Sequence, residues 1–287
     1  MSNLMENIKN LREITGAGFL DCKKALEENN LDIDLSIDFL RKKGLAKANK
    51  KSSREAKEGA IGVYFNNKKS TIIQINTETD FAAKNEVFLN FMDEIGKYSL
   101  EIQNFNTSVN EFLESVHDGI KVSEHFKNII AKIGENIILT KLYINDHEEN
   151  TFTYYVHNTY KNNVGKIVTL LTYNVEENNN ESKQFAKNLC MHIAASKPLA
   201  MNVENLDKNL IKKEKDIQLD LIKSSGKPEN IIEKILEGKM NKFYSDSTLL
   251  NQNYILDPDL SVDKAINEFS KNNNFKIINY YLVTLES

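Results

Sequence analysis

No apolar run in this sequence is long enough to cross a bilayer. The longest stretches, such as Ile72 to Ile75 and Ile167 to Leu171, fall far short of the roughly 20 residues a spanning helix needs. The opening segment MSNLMENIKN lacks a basic region followed by an apolar one, so nothing directs the chain outward and the expected compartment is the cytoplasm. Cysteine is scarce. Cys22 and Cys190 each lie in what reads as a helix among apolar or small neighbours, where a thiol acts as a small hydrophobe, so no disulfide is expected. The histidines His117, His125, His147, His157 and His192 form no HExxH pattern and no closely spaced Cys/His set, which leaves no expected metal site and no expected cofactor. A nucleophile, base and orienting group at recognisable spacing are missing, as is a Gly-rich phosphate loop, and this disfavours a hydrolase or transferase. A formal charge of -4 argues against a chain that coats nucleic acid, because that task rests on neutralising phosphates. A protein partner is the expectation, with neither membrane nor direct nucleic-acid binding.

What is present suffices for a folded protein: 287 residues, 40% of them hydrophobic, can form one large or two to three small domains. Leu4, Ile8 and Leu11 stand at helical spacing and are broken by Thr15-Gly16-Ala17-Gly18. A second helix places Phe19, Cys22 and Leu26 on one face. A third begins at the candidate cap Asp32, buries Ile33, Ile37 and Leu40, and stops at Gly44. From Arg41 to Lys57 the chain is rich in Lys and Arg and reads as a solvated tether in preference to an RNA-binding arm. Strand signals follow at Ala60 to Phe65 and Thr71 to Asn76, around a polar turn. The segment TETDFAAKN then leads to a helix capped by Asn85, with Phe88, Phe91, Met92 and Ile95 on one stripe.

The same order returns with Phe152 to His157, a turn through Asn158 to Asn163, Lys166 to Asn174, and a helix from about Glu181 to Ser196. Between the two repeats lie a helix from Glu124 to Lys132 and a strand from Asn136 to Ile144. Leu210, Ile217 and Leu221 fall on a heptad-like seam, Ser224-Ser225-Gly226-Lys227-Pro228 turns the chain, and Ile232, Ile235, Leu236 and Phe243 continue the stripe as an antiparallel hairpin. A last strand lies near Phe275 to Leu285. The class is α+β, a three-helix bundle followed by a two-part antiparallel sheet core with helices and an inserted helical hairpin.

Two segments are more specific. LREITGAGFLDCKKAL, Leu11 to Leu26, resembles the N-terminal signature of the elongation factor Ts family, and QINTETDFAAKN, Gln74 to Asn85, resembles its second signature. KIGENI at Lys132 to Ile137, MHIAASKP at Met191 to Pro198 and QLDLIKSSGKP at Gln218 to Pro228 extend the resemblance over nearly the whole chain. It implies a ubiquitin-associated-like bundle in residues 1–50, a basic linker at 51–58, core parts at 59–146 and at 147–202 with 245–287, and a coiled-coil hairpin at 203–244. It also implies a guanine-nucleotide exchange factor, not an enzyme, that binds elongation factor Tu in its GDP-bound and nucleotide-free forms during protein biosynthesis. In the family the TDF segment reaches between two helices of the partner near its magnesium ion, which carries over onto Thr79, Asp80, Phe81 and Ala82.

The bland reading has Phe81 packed under the following helix near Phe88, and Asp80 as a turn carboxylate. His157, taken to lie at the tip end of the second hairpin, matches a family histidine near the partner's phosphate loop, against the bland reading of an exposed turn residue. Arg12 and Lys23 divide between bundle structure and partner contact. The hairpin serves dimerisation or peripheral contacts in some relatives, so a homodimer through it is one expectation. Ala82 replaces the usual valine, and Gln74 and Thr77 replace residues before it, which suggests looser packing behind the loop. The chain ends at Ser287 soon after its last strand, an arrangement expected to lack the extra C-terminal helix of some relatives. The rival reading from another class is a binding adaptor whose bundle recognises a protein surface.

Overall fold

The computed structural model describes residues 2–147, 150–225 and 228–285. The chain divides into two compact units, Met1–Glu148 with Asn158–Ile167 and Val283–Ser287, and Glu149–His157 with Val168–Leu282. The first contains α1 (Ser2–Thr15), α2 (Phe19–Glu28), α3 (Ile33–Lys51), β1 (Glu58–Phe65), β2 (Lys69–Thr77), α4 (Asp80–Ala83) and α5 (Glu86–Glu101). It continues with α6 (Val109–Glu114), β3 (Val116–His117), β4 (Ile120–Lys121), α7 (Val122–Ile133) and β5 (Ile137–Asp146). Thereafter come β6 (Thr151–Lys161), β7 (Val164–Asn174), α8 (Asn180–Ser196), α9 (Lys208–Ser224) and α10 (Glu229–Ser247). The last elements are β8 (Asn253–Tyr254), β9 (Asp257–Ser261), α11 (Val262–Asn273) and β10 (Lys276–Thr284).

The first three helices close over Ile8, Leu11, Cys22, Ala25, Leu26 and Leu40. Gly16, at φ 66°, ends α1 and donates its N–H to the Arg12 carbonyl at 2.8 Å. Asp32 accepts from the Leu35 N–H at 2.9 Å, the capping role its position suggested. Gly44, however, does not stop α3, which runs on to Lys51. A Cβ added at Gly44 would lie 2.8 Å from the Cβ of Ala131 on α7, so the glycine permits a close approach of two helices. The basic stretch from Arg41 is correspondingly no free tether. Arg41 pairs with Glu124 at 3.3 Å, and the Lys51 ammonium donates to the Gly134 carbonyl, where a helix C-terminus attracts a cation.

β1 and β2 form an antiparallel hairpin from Glu58↔Thr77 to Phe65↔Ser70, and β5 pairs antiparallel with β2 from Lys69↔Asp146 to Thr77↔Ile137. Val164 and Gly165 at the start of β7 lie against β1. Ala60, Tyr64, Ile73 and Ile75 pack on Phe88, Phe91, Met92 and Ile95 of α5 and on Phe126 and Ile130 of α7. That is the stripe read from the sequence, and the Asn85 side chain caps α5 by accepting from the Val87 N–H.

In the second unit β7 pairs with β6 and with β10, and its core gathers Leu171, Tyr173, Leu189, Ile193, Val262, Ile266 and Phe275. The β6 strand does not end at His157. It continues to Lys161, with Asn158 at φ 51° kinking it, so the turn sits at Asn162 and Asn163. On α9 the heptad reading is out of phase beyond the half-buried Leu210: Ile217 is 44% and Leu221 59% exposed, whereas Ile222 is buried; on α10 the stripe Ile232, Ile235, Leu236 and Phe243 is half-buried, beside the buried Met240. One position along a helix turns a side chain by about 100°, so a seam set one residue off faces water. Gly226 and Lys227 of the turn, and Ser287 at the end, lie outside the described residues. Both cysteines are buried free thiols, and burial pushes Cys22 up and Cys190 up to about 12, which keeps them protonated.

Candidate functional site

The ladder between β2 and β5 ends at Thr77↔Ile137, and the chain then leaves the sheet to enter α4. A four-residue helix cannot sustain itself, because nucleation fixes several dihedrals for a single backbone bond. Side chains hold this one. The Thr79 hydroxyl accepts from the Ala82 N–H at 3.2 Å and donates to Glu135 Oε1 at 2.7 Å, while the Thr79 N–H donates to Glu135 Oε2 at 3.0 Å. The Thr77 hydroxyl donates to the Thr79 carbonyl at 2.7 Å. In return, Glu78 Oε1 accepts the Asn136 N–H at 2.6 Å, and the Arg54 guanidinium lies 3.4 Å from the same carboxylate. The Asn136 amide donates to the Arg54 carbonyl at 2.6 Å. Behind the loop, Thr77 and Ala82 are both buried, and the Gln74 amide donates to Asn76 at 2.9 Å.

On this held backbone Phe81 stands 82% exposed, whereas Phe88 is fully buried. The two rings therefore do not pack together, and the bland reading of Phe81 fails on position. Asp80 is paired with Lys84 at 2.8 Å, and that hydrogen bond holds its carboxyl below the usual carboxylate range. The Lys84 ammonium also lies 6.0 Å from the Tyr160 ring centroid. The tip thus presents an apolar ring beside a carboxylate on a short capped helix.

Thr79, Asp80, Phe81 and Ala82 lie together on α4 and its cap, and Arg12 and Lys23 lie exposed on α1 and α2 of the same unit. Lys23 forms an exposed pair with Glu27 at 3.6 Å. Beside them the bundle exposes Ile14 and Leu20, by 56% and 77%, residues that the sequence reading passed over. The signal for Leu20 was available, since it flanks the Gly-rich break off the core spacing, whereas Ile14 follows Leu11 by three residues and reads as core. His157 belongs to the second unit, exposed within β6, with Nδ1 3.0 Å from the Tyr155 hydroxyl. Glu78, Glu135 and Asn136 were also passed over as site residues. Among the described residues no helix is long and apolar enough to cross a membrane, and no group of three or more His, Cys, Asp and Glu could hold a metal ion.

A family model described as Elongation factor TS matches residues 78–286. The elongation factor Ts of Bartonella henselae is 38% identical over 273 residues, covering 94% of this chain and 88% of that protein. That of Ruegeria sp. is 41% identical over 261 residues, covering 91% and 86%.

Proposed function

This chain belongs to the elongation factor Ts family, and on that premise we propose that it is a cytoplasmic guanine-nucleotide exchange factor, which binds elongation factor Tu with GDP, dislocates the partner's magnesium ion and promotes GDP release during translation elongation. It makes and breaks no covalent bond. The observation that supports the magnesium step is Phe81, 82% exposed on a helix whose cap is gripped by Glu135. Single exposed apolar side chains are ordinary. One carried on a braced turn, next to a carboxylate, is built to enter something.

An aromatic ring driven between two packed helices forces them apart, because close-packed interiors resist extra volume. Magnesium demands near-ideal octahedral geometry, so ligands carried on displaced helices lose the ion, and GDP loses its main counter-charge. Loosening a nucleotide about ten-thousandfold needs contacts worth about 5.5 kcal/mol that exist only in the open partner. A buried phenylalanine contributes about 1.5–3 kcal/mol. The remainder falls to other surfaces: the bundle of residues 1–50, with Arg12, Lys23, Ile14 and Leu20, and the His157 region. Linkage then requires GDP to weaken this chain's binding by the same factor by which the chain weakens GDP, so each displaces the other in turn.

Stopped-flow release of a fluorescent GDP from elongation factor Tu of the same organism tests this. Strong acceleration by the full chain is expected; an unchanged release rate would reject exchange and leave a binding adaptor.

A further inference from the structure

The end of the β2–β5 ladder carries an exchange of acceptors. Beyond Thr77↔Ile137 the next facing positions are Glu78 with Asn136 and Thr79 with Glu135. There the carboxylates take over from backbone carbonyls: Glu78 receives the Asn136 N–H, and Glu135 receives both the N–H and the hydroxyl of Thr79. The chain at Thr79 can therefore leave the sheet without stranding its polar groups, and its position stays fixed.

Glu135 is itself firmly placed. It follows Gly134, the left-handed cap of α7 at φ 88°, and precedes β5. The same junction receives Lys51 at the end of α3, through the Gly134 carbonyl. Asn136 extends the clamp by donating to the carbonyls of Arg54 and, at 3.4 Å, Ser52. The α4 tip, the α7–β5 junction and the segment leaving the helical bundle thus share one set of hydrogen bonds.

We infer that Glu135 is the positioning residue of the exchange tip: by gripping Thr79 through two bonds it aims α4, and with it Phe81, so that docking energy goes into insertion and not into ordering the loop. This rests on the exchange reading given above. Glu135 touches neither nucleotide nor magnesium in that reading, and it acts through Thr79. Without it, Thr79 loses both acceptors while the bundle and the rest of the core keep their surfaces. The signature is a slower opening step at unchanged affinity.

The test uses the full-length chain with Glu135→Ala, Glu135→Gln and Thr79→Val, and Phe81→Ala as reference. GDP release from elongation factor Tu is followed across factor concentrations to give a maximal rate and a half-saturating concentration, and amide hydrogen exchange is followed at Thr79 and Ala82. Glu135→Ala is expected to lower the maximal rate about tenfold or more, as loss of hydrogen bonds to a charged group implies. The half-saturating concentration should stay within about twofold, and the two amides should exchange about tenfold faster. Glu135→Gln keeps one acceptor oxygen and should fall between. Thr79→Val placed on Glu135→Ala should cost less than it does alone, since the hydroxyl's bond to Glu135 is already gone and only its cap on the Ala82 N–H is left to lose.

A maximal rate unchanged in Glu135→Ala and Glu135→Gln while Phe81→Ala is slow would overturn the positioning role alone. So would a defect confined to the half-saturating concentration, or effects of Thr79→Val and Glu135→Ala that simply multiply. A Phe81→Ala chain with a normal maximal rate would overturn the tip reading and this inference together. If Glu135→Ala melts early, Glu135→Gln and Thr79→Val carry the same comparison.

Discussion

Replacing Gly44 by alanine should separate two opposing effects at one carbon atom. In a helix interior alanine is favoured over glycine by about 1 kcal/mol, and Gly44 lies within α3. The added Cβ, however, would stand 2.8 Å from the Cβ of Ala131, well inside the normal carbon–carbon contact of about 3.5–4.0 Å. Both atoms are fixed to backbone, so no rotamer relieves the clash and α3 must move away from α7. Overpacking costs about 1–3 kcal/mol, and the lower half of that range applies here because Ala131 is exposed and the contact lies at an edge. Gly44→Ala alone should therefore be destabilising by about 0–1 kcal/mol, with Ala131→Gly costing about 1 kcal/mol through propensity alone. The exchanged pair, Gly44→Ala with Ala131→Gly, restores one methyl between the helices and should come back to about zero, a coupling of about 1–2 kcal/mol. Thermal melting and amide exchange along α3 would measure it, at about 2–4 °C per kcal/mol for a chain of this size class. A Gly44→Ala variant more stable by the full propensity gain, with effects that add independently, would refute the close approach as the reason for the glycine.

Three further outcomes follow from burial and charge. Phe88→Ala, at a fully buried ring, should cost about 3–5 kcal/mol of stability, whereas Phe81→Ala, at a ring 82% exposed, should change it by no more than about 0.5 kcal/mol; equal losses in denaturant melts would contradict the placement of the two rings. Burial lowers His147 from its ordinary value of 6.5 to about 4, so between those values the unfolded chain binds a proton that the folded one does not. The His147 contribution to stability should thus be lost as pH drops from about 6.5 to about 4; in melts across that window, an unaltered slope in a His147→Asn chain would count against it. Lys84→Ala should let the Asp80 carboxyl rise toward its ordinary range, as its titration in NMR spectra would show, and an unmoved titration would remove Lys84 as the cause.

Where a local signal and a tertiary demand coincide, the sequence was readable. Asn85 caps α5 and Phe88, Phe91, Met92 and Ile95 line its buried face, because a cap and a helical stripe are both local in the chain. Gly44 misled for the opposite reason: intrinsic propensity reads a glycine as a stop, and only the approach of Ala131 from far along the chain explains why the helix needs it there. The run Asn158 to Asn163 offered several places for a turn, and the strand used Asn162 and Asn163 while bending at Asn158, so His157 is not at the hairpin tip. α6 and α11 escaped because one is a single capping-box turn, Ser108 with Glu111, and the other hides its face, Val262, Ala265 and Ile266, among polar residues. At the site, Thr79, Asp80, Phe81 and Ala82 stood out as a motif. Glu135 stood in a second recognised motif, KIGENI, but its grip on Thr79 depends on two strand ends meeting, which no local spacing announces.

The proposed exchange depends on the α4 tip opening the partner. Its most direct test is GDP release from elongation factor Tu by the full chain against Phe81→Ala and Asp80→Ala, at equal stability. If Phe81 is buried in the open partner, losing about 1.5–3 kcal/mol should slow exchange roughly ten- to a hundredfold, with Asp80→Ala also blunted; acceleration that survives both substitutions at full strength would contradict the account and place the opening contact elsewhere on the chain.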